Sequence, residues 1–372
     1  MVLIQALTWD ATLRRKCVYA AARRVLQSPS PAGWDDQDMK LLVCGGAGFI
    51  GSTFVRQRLL EHGDEVTVLD KLTYAGREEN FHDFAEHPSF RFLRGAIEDP
   101  AAVSGAIDAA APQAIVNFAA ETHVDRSIAE PDAFVSTHAL GTYVLLEAAR
   151  AAALRYVQVS TDEVYGSIES GSFTEQSPLR PSSPYSATKT GADLLVQSYF
   201  HTYDLPAVIA RGSNNYGPYQ YPEKLIPLMI LNALHGDALP VYGDGMQVRN
   251  WIHSTDFARA IGHVLEHGVP GEVYNAGGPD EEANIDVVKR IIAATGASES
   301  QIEHVADRPG HDRRYSLSSD KVRALGWEPQ VRFAEGLEQT VAWYRDNSWW
   351  WQPIRSGDYR AYYERQYGRT LA

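Results

Sequence analysis

Three glycines at three-residue spacing, Gly45-x-x-Gly48-x-x-Gly51, stand between a short apolar run (Leu41-Leu42-Val43-Cys44) and a stretch of helical patterning that reaches Glu61. This placement leaves few folds open. A buried strand must end, the backbone must turn where a Cβ would obstruct it, and a helix must begin. A helix that opens in this way presents unpaired N–H groups and a partial positive charge, which suits a pyrophosphate. The next apolar run, Glu65-Val66-Thr67-Val68-Leu69-Asp70, ends on a carboxylate 19 residues after Gly51. A carboxylate at that point can bind both hydroxyls of a ribose and repels a 2′-phosphate, so the pattern favours NAD over NADP.

Further strand-like runs follow at Ala114–Phe118, Tyr156–Ser160 and Ala207–Arg211, separated by Ala- and Leu-rich helical stretches such as Gly141–Ala153. Strand and helix in alternation predict a doubly wound, Rossmann-type parallel α/β sheet. After Arg211 the character changes. Prolines, tyrosines and asparagines cluster from Ser213 to Pro227, and longer mixed segments follow. We read a smaller, mixed α/β substrate lobe there. The expected division is an NAD-binding domain at 39–213 and, at 214–372, a mainly substrate-binding lobe partly interleaved with it. Residues 1–38 carry Arg14, Arg15, Lys16, Arg23 and Arg24, and then a Ser-Pro-rich tract. They lack the apolar run of a secretory signal. Ala11–Leu26 can form a short basic helix, and the segment reads as a dispensable, poorly ordered extension or an early start assignment.

A net charge of −13 argues against nucleic-acid or acidic-membrane partners, though it leaves room for a local basic pocket that holds an anionic substrate. Two cysteines, Cys17 and Cys44, make neither a disulfide framework nor a zinc site, which fits a reducing cytoplasm. No run of 18 apolar residues exists, so no spanning helix and no membrane partner is expected.

The chemistry concentrates in Ser160-Thr161-Asp162-Glu163-Val164-Tyr165-Gly166 and Tyr185-Ser186-Ala187-Thr188-Lys189. Ser183 suits a helix N-cap and Pro184 the first helical position, which puts Tyr185 and Lys189 on one face. A tyrosine acting as a base near pH 7 must lose about 3 pH units, or about 4 kcal/mol. One positive charge at ~4 Å supplies that much at an intermediate dielectric. Lys189 and an oxidised nicotinamide are both candidates. Thr161 can hydrogen-bond the same substrate oxygen. Neighbouring side chains of a strand face opposite ways. Asp162 and Glu163 can therefore share a substrate only if the chain leaves strand geometry there. Side by side, one carboxyl tends to keep its proton. Asp162 would give that proton to a leaving hydroxyl, and ionised Glu163 would take one from carbon beside a carbonyl.

From Met39 onward these residues resemble the extended short-chain dehydrogenases that act on nucleotide sugars, and among them the dTDP-glucose 4,6-dehydratases. The likeness rests on Gly45–Gly51, Asp70–Gly76, Ala119–Ser127, Ser160–Gly166, Ser213–Tyr219, Pro222–Pro227, Val241–Gly245 and Asp307–Asp312. Thr161-Asp162-Glu163 discriminates best, because related decarboxylases and GDP-mannose dehydratases usually carry Ser at position 162. The resemblance implies NAD as cofactor, dTDP-glucose as substrate and a homodimer packed through helices near Gly141 and Tyr185. It implies Thr161, Asp162, Glu163, Tyr185 and Lys189 as catalytic residues. It assigns Gly45, Gly48, Phe49, Ile50, Gly51, Asp70, Lys71, Leu72, Thr73, Ala96, Ile97, Ala119, Ala120, Thr137, Tyr185, Lys189 and Asn215 to the cofactor. It assigns His123, Thr161, Asn214, Lys224, Leu225, Pro240, Val241, Tyr242, Arg249, Asn275, Asp307 and His311 to the nucleotide sugar. No metal is implied.

The sequence departs from the family pattern at several positions. Cys44 replaces a Thr, Ala96 an Asp expected near adenine, and His138 an Asn. Asn250 and Phe257 replace an Asp and a His assigned to the smaller lobe. The alternatives are another nucleotide-sugar 4,6-dehydratase (UDP or GDP), a decarboxylase, a 4-epimerase, or a non-catalytic NAD-binding regulator. The acidic pair speaks against an epimerase. The intact Tyr185–Lys189 pair speaks against a regulator.

Overall fold

The computed structural model describes residues 38–307, 310–356, 363, 364 and 366. The suggested helix at 11–26, Cys17, Arg308 and Pro309 lie outside them. The first half of the chain alternates as the sequence predicts. β1 (Lys40–Cys44), α1 (Phe49–Leu60), β2 (Glu65–Asp70), β3 (Phe90–Arg94), α2 (Pro100–Ala110) and β4 (Ala114–Asn117) come first. Then follow α3 (Val124–Ala129), α4 (Asp132–Val135), a π-helical segment at Ser136–Gly141, α5 (Thr142–Ala152), β5 (Arg155–Thr161), α6 (Pro184–Tyr203) and β6 (Ala207–Gly212). The remainder comprises β7 (Asn214–Tyr216), α7 (Leu225–His235), β8 (Leu239–Tyr242), β9 (Val248–His253), α8 (Ser254–His267), β10 (Val273–Ala276), β11 (Asp280–Ala283), α9 (Asn284–Thr295), β12 (Ile302–Val305), α10 (Asp320–Arg323), α11 (Phe333–Asp346) and α12 (Ser348–Ser356).

Seven strands form one parallel sheet in the order β10-β6-β5-β4-β1-β2-β3. Successive strand residues point to opposite faces, and here both faces are covered. Leu41 and Val43 join one apolar layer with Val157, Val208, α1 and α8, while Leu42, Tyr156 and Ile209 join the other, with α2, α5 and α6. That double burial is why these strands read as unbroken apolar runs. The strand order reverses between β1 and β4, and a doubly wound sheet binds its ligand at the crevice this creates.

A third apolar layer sits apart from these two. It joins α7, Val287 and Ile291 of α9, Leu337 and Val341 of α11, and Trp350 and Ile354 of α12. β7, β9 and β11 make a three-stranded sheet, and β8 pairs with β12. The chain between these elements returns to the main sheet. β10 pairs with β6 at the sheet's edge, and α8 packs in the layer of α1. Phe257 lies on α8, in the core of the main sheet and not in the smaller lobe, which corrects the placement expected from the sequence. Four-residue β10 lies more than 60 residues beyond β6 with another sheet intervening, so nothing local announces it.

Asn80 binds the two bodies at one point. Its amide donates to the carbonyl of Ala47 in the glycine turn at 2.7 Å, and its carbonyl accepts from the Trp350 indole at 2.7 Å. Both bonds are buried, so deleting the amide orphans the Trp350 indole N–H and leaves the Ala47 carbonyl with only the Arg77 amide at 3.0 Å. Asn80→Ala should therefore lose about 1–3 kcal/mol and show a clearly lower thermal midpoint by circular dichroism. An unchanged midpoint would mean that the bridge contributes nothing.

Candidate active site

The carboxyl ends of β1 to β6 open onto one cleft, and edge strand β10 ends outside its lining. At its floor the β1–α1 turn is tight. Gly45 has φ +77°, and a Cβ there would come within 2.4 Å of the Ala119 backbone; one at Gly51 would meet the Gly45 carbonyl at 2.3 Å. α1 begins at Gly48 without a side-chain cap, so its first-turn amides face the cleft unclaimed by any side chain. Asp70 accepts from the amides of Ala47 (3.0 Å) and Leu72 (2.9 Å). Leu72 is left-handed, with φ 56°, and the Asp70 carboxylate holds that bend. Lys71 lies between Glu98 (3.1 Å) and Glu121 (3.3 Å) and also donates to Thr137.

The catalytic candidates hang from the end of β5. The strand stops at Thr161, and Asp162–Tyr165 form a 3-10 turn whose first amides are capped by the Thr161 hydroxyl, which accepts from Glu163 N at 3.2 Å. The chain thus leaves strand geometry where the acidic pair requires it to, and Thr161, Asp162 and Glu163 all line the cleft. Asp162 is buried, and one of its oxygens has no partner within the protein. Burial first, then the charge of Glu163, push its carboxyl up to about 8, against Arg249 and the Thr161 hydroxyl. At neutral pH Asp162 is therefore an acid that holds its proton.

α6 carries the other pair. Ser183 caps it in a reciprocal box with Ser186, and Pro184 occupies its first turn. Tyr185 and Lys189 are both buried and both line the cleft. Lys189 donates to the carbonyl of Val159 at 2.7 Å. Burial lowers it to about 8, partly offset by Asp193 one turn further on. In the protein alone Tyr185 is not acidified: burial and then Glu163 push its phenol well up, against the Thr161 hydrogen bond. His138, on the π-helical segment, lies edge-on to the Tyr185 ring at 5.8 Å and meets Thr188 at 2.8 Å. Burial, then Lys189, keep it well below its usual range, so it is neutral.

The structure brings Gly45, Gly48, Phe49, Ile50, Gly51, Asp70, Lys71, Thr73, Ile97, Ala119, Ala120, Thr137, Thr161, Asp162, Glu163, Tyr185, Lys189, Asn214, Asn215 and Lys224 into one lining. Leu72 and Ala96 sit beside it in the loops after β2 and β3. His123 is buried at the start of α3, and Leu225 opens α7. Pro240, Val241 and Tyr242 lie on β8. Tyr242 donates to Asp125 at 3.1 Å and packs edge-on to His311, which meets Asp307 at 2.6 Å. Arg249 is buried, donates to the carbonyl of Asp312 at 3.0 Å and lies over the Tyr315 ring. Asn275 is fully buried on β10 and accepts from Tyr165 at 2.9 Å, away from the lining.

Sequence reasoning missed Glu98, Thr122, Gln220 and Tyr221, which also line the cleft, and misplaced Phe257, which meets it beside Gly212. Glu98 was within reach. It follows Ala96 by two residues, so an acid stands two places from where one was expected.

The family model described as GDP-mannose 4,6 dehydratase matches residues 42–340. A dTDP-glucose 4,6-dehydratase of Streptomyces niveus is 51% identical over 86% of this chain and 97% of its own length. The low-salt glycan biosynthesis protein Agl12 of Haloferax volcanii is 53% identical over 82% of this chain and 98% of its own. Among solved structures, the dTDP-glucose 4,6-dehydratase DesIV of Streptomyces venezuelae, crystallised with NAD, is 52% identical; it matches with a TM-score of 0.83 over 85% of this chain and all of that one. The chain belongs to the GDP-mannose 4,6 dehydratase family of nucleotide-sugar enzymes and, within it, to the dTDP-glucose 4,6-dehydratases.

Proposed function

We propose that this protein dehydrates dTDP-glucose to dTDP-4-keto-6-deoxyglucose with NAD held in the cleft. The observation that carries the reading is the pairing at the end of β5 of a buried, protonated Asp162 with Glu163, opposite Tyr185 and Lys189. The fit to NAD rests on the glycine turn that no Cβ can enter, the uncapped start of α1, and Asp70 at the end of β2. Gly45, Gly48, Phe49, Ile50, Gly51, Asp70–Thr73, Ala96, Ile97, Ala119, Ala120, Thr137 and Asn215 would hold it. When bound, NAD supplies the acceptor for the C4 hydrogen and the donor for C6.

Tyr185 takes the proton of the C4 hydroxyl, with Thr161 on the same oxygen. The phenol holds its proton in the protein alone, so it acts as a base only once positive charge stands beside it. The C4 ketone acidifies C5–H, and Glu163 takes that proton while Asp162 gives its own to the C6 hydroxyl, which leaves as water. Glu163 returns the proton to C5. The proton left on Tyr185 balances the one spent by Asp162, so the net change is loss of one water. Lys224, which lines the cleft, and the buried Arg249 would pair with the diphosphate. His123, Asn214, Leu225, Pro240, Val241, Tyr242, Asp307 and His311 complete the proposed sugar-nucleotide side, with Asn275 set behind it through Tyr165, so that 39–213 mainly serves the cofactor and 214–372 mainly the sugar.

We also propose a homodimer in the cytoplasm. Val135, Leu140, Tyr143, Leu194 and Tyr203 are exposed on α4, the π-helical segment, α5 and α6, an apolar set that a second copy would cover. No helix among the described residues is long and apolar enough to cross a membrane. Light scattering should give twice the chain mass for the wild type and a single chain for a Leu140→Glu, Leu194→Glu variant. A monomeric wild type would refute the dimer.

Glu163→Gln and Asp162→Asn should still oxidise C4 but stall elimination, so that NADH absorbance builds up with dTDP-glucose and product formation falls by about 10²–10⁴. Tyr185→Phe should give no NADH signal. Full dehydration by either carboxyl variant would show the acid and base to be misassigned. Asp162 keeps its proton below its raised value of about 8, and Lys189 keeps its charge below its lowered value of about 8. Both forms are needed and both are lost as pH rises. Product formation should therefore fall on the alkaline side through about pH 8; a rate that climbs steadily to pH 10 would contradict these roles.

A further inference from the structure

One cluster beside the cleft takes no part in the chemistry above. Glu223, whose side chain is fully buried, accepts from the Tyr74 hydroxyl at 2.7 Å on one oxygen and from Arg126 Nε at 3.2 Å on the other. The Arg126 guanidinium lies 3.9 Å from the centre of the Tyr74 ring, and Tyr221 meets that ring edge-on at 5.2 Å. The three residues come from distant segments: the loop after β2, the start of α3, and the approach to α7. Each segment supplies the cleft with an immediate or near neighbour of its clasp residue. These are Thr73, Ala75 and Gly76 beside Tyr74, Tyr221 and Lys224 beside Glu223, and Thr122 before Arg126.

The contact therefore joins a segment that lines the proposed cofactor side of the cleft to one that lines the proposed substrate side. We propose that Glu223, with Tyr74 and Arg126, forms a clasp that closes the cleft over bound NAD and sets how slowly the cofactor leaves. The inference rests on the cofactor reading above and adds to it the groups that govern retention. The physical case is the cost of opening. Separating the two sides strips a buried carboxylate of both charge-assisted partners at once. Such a device suits a reaction in which the cofactor ends each cycle in the state in which it began and has no need to leave.

The test is cofactor exchange. NAD-loaded wild type, Tyr74→Phe, Glu223→Gln and the double variant are mixed with excess isotopically labelled NAD, and the bound pool is followed by mass spectrometry. Each single variant should exchange roughly ten times faster than wild type, the scale of one lost hydrogen bond to a charged group. The double variant should exchange more slowly than the product of the two single effects predicts, because both substitutions act on the same carboxylate. Tyr74→Phe deletes one oxygen, so it answers the question even if Glu223→Gln does not fold. Wild-type exchange in Tyr74→Phe, or effects that simply multiply in the double variant, would overturn the clasp. A wild type that retains no NAD would bring down the cofactor reading and the clasp with it, a failure distinguishable from the first two.

Discussion

A parallel sheet covered by helices on both faces has its interior closed to ligands, and its amino ends are taken up by the incoming connections. What remains is the edge where the strands finish, and this chain depends on that constraint throughout. β1 ends at the glycine turn, β2 at Asp70, β5 at Thr161 and β6 at Gly212, and all four ends face one cleft. The register that buries Leu42 on one face and Val43 on the other also fixes where the strand stops and where its loop is aimed.

Water exclusion at this edge sets the protonation states. Asp162, Tyr185 and Lys189 are all deeply buried, and burial is the largest influence on each. It acts in one sense on all three, against charge. A carboxyl and a phenol are held neutral, and an ammonium is brought close to losing its proton. A site in that condition favours whatever restores charge balance. A cationic ring or a sugar diphosphate thus has a larger electrostatic effect here than it would in water.

Most of this edge was readable in the sequence because its signals are local. The glycine turn, the carboxylate ending β2, the Ser183–Pro184 helix start and the acidic pair each lie within a few residues. The turn at Asp162 could be inferred because two adjacent acids serve one substrate only off a strand. What could not be read is set by distant contacts. Phe257 reaches the main core because α8 returns to pack on α1. Glu98 matters because the folded loop brings it to Lys71 and Thr137. The resting state of Tyr185 is set in the same way: the positive charge four residues away is visible in the sequence, while burial and Glu163, which raise the phenol, are supplied by the fold.

Glu163 links the two halves of the proposed chemistry. Its charge is the second largest influence raising both Asp162 and Tyr185. That repulsion adds to burial in holding the proton on Asp162. When Glu163 takes the C5 proton in the proposed elimination its charge disappears, and the second of those two influences goes with it. Asp162 thus becomes a stronger acid at the moment the C6 hydroxyl must leave. When Glu163 gives the proton back to C5, the repulsion returns and draws a proton onto Asp162 again. Two adjacent carboxyls that would merely crowd each other in water are, in a buried turn, an acid and a base whose strengths are coupled in opposite senses.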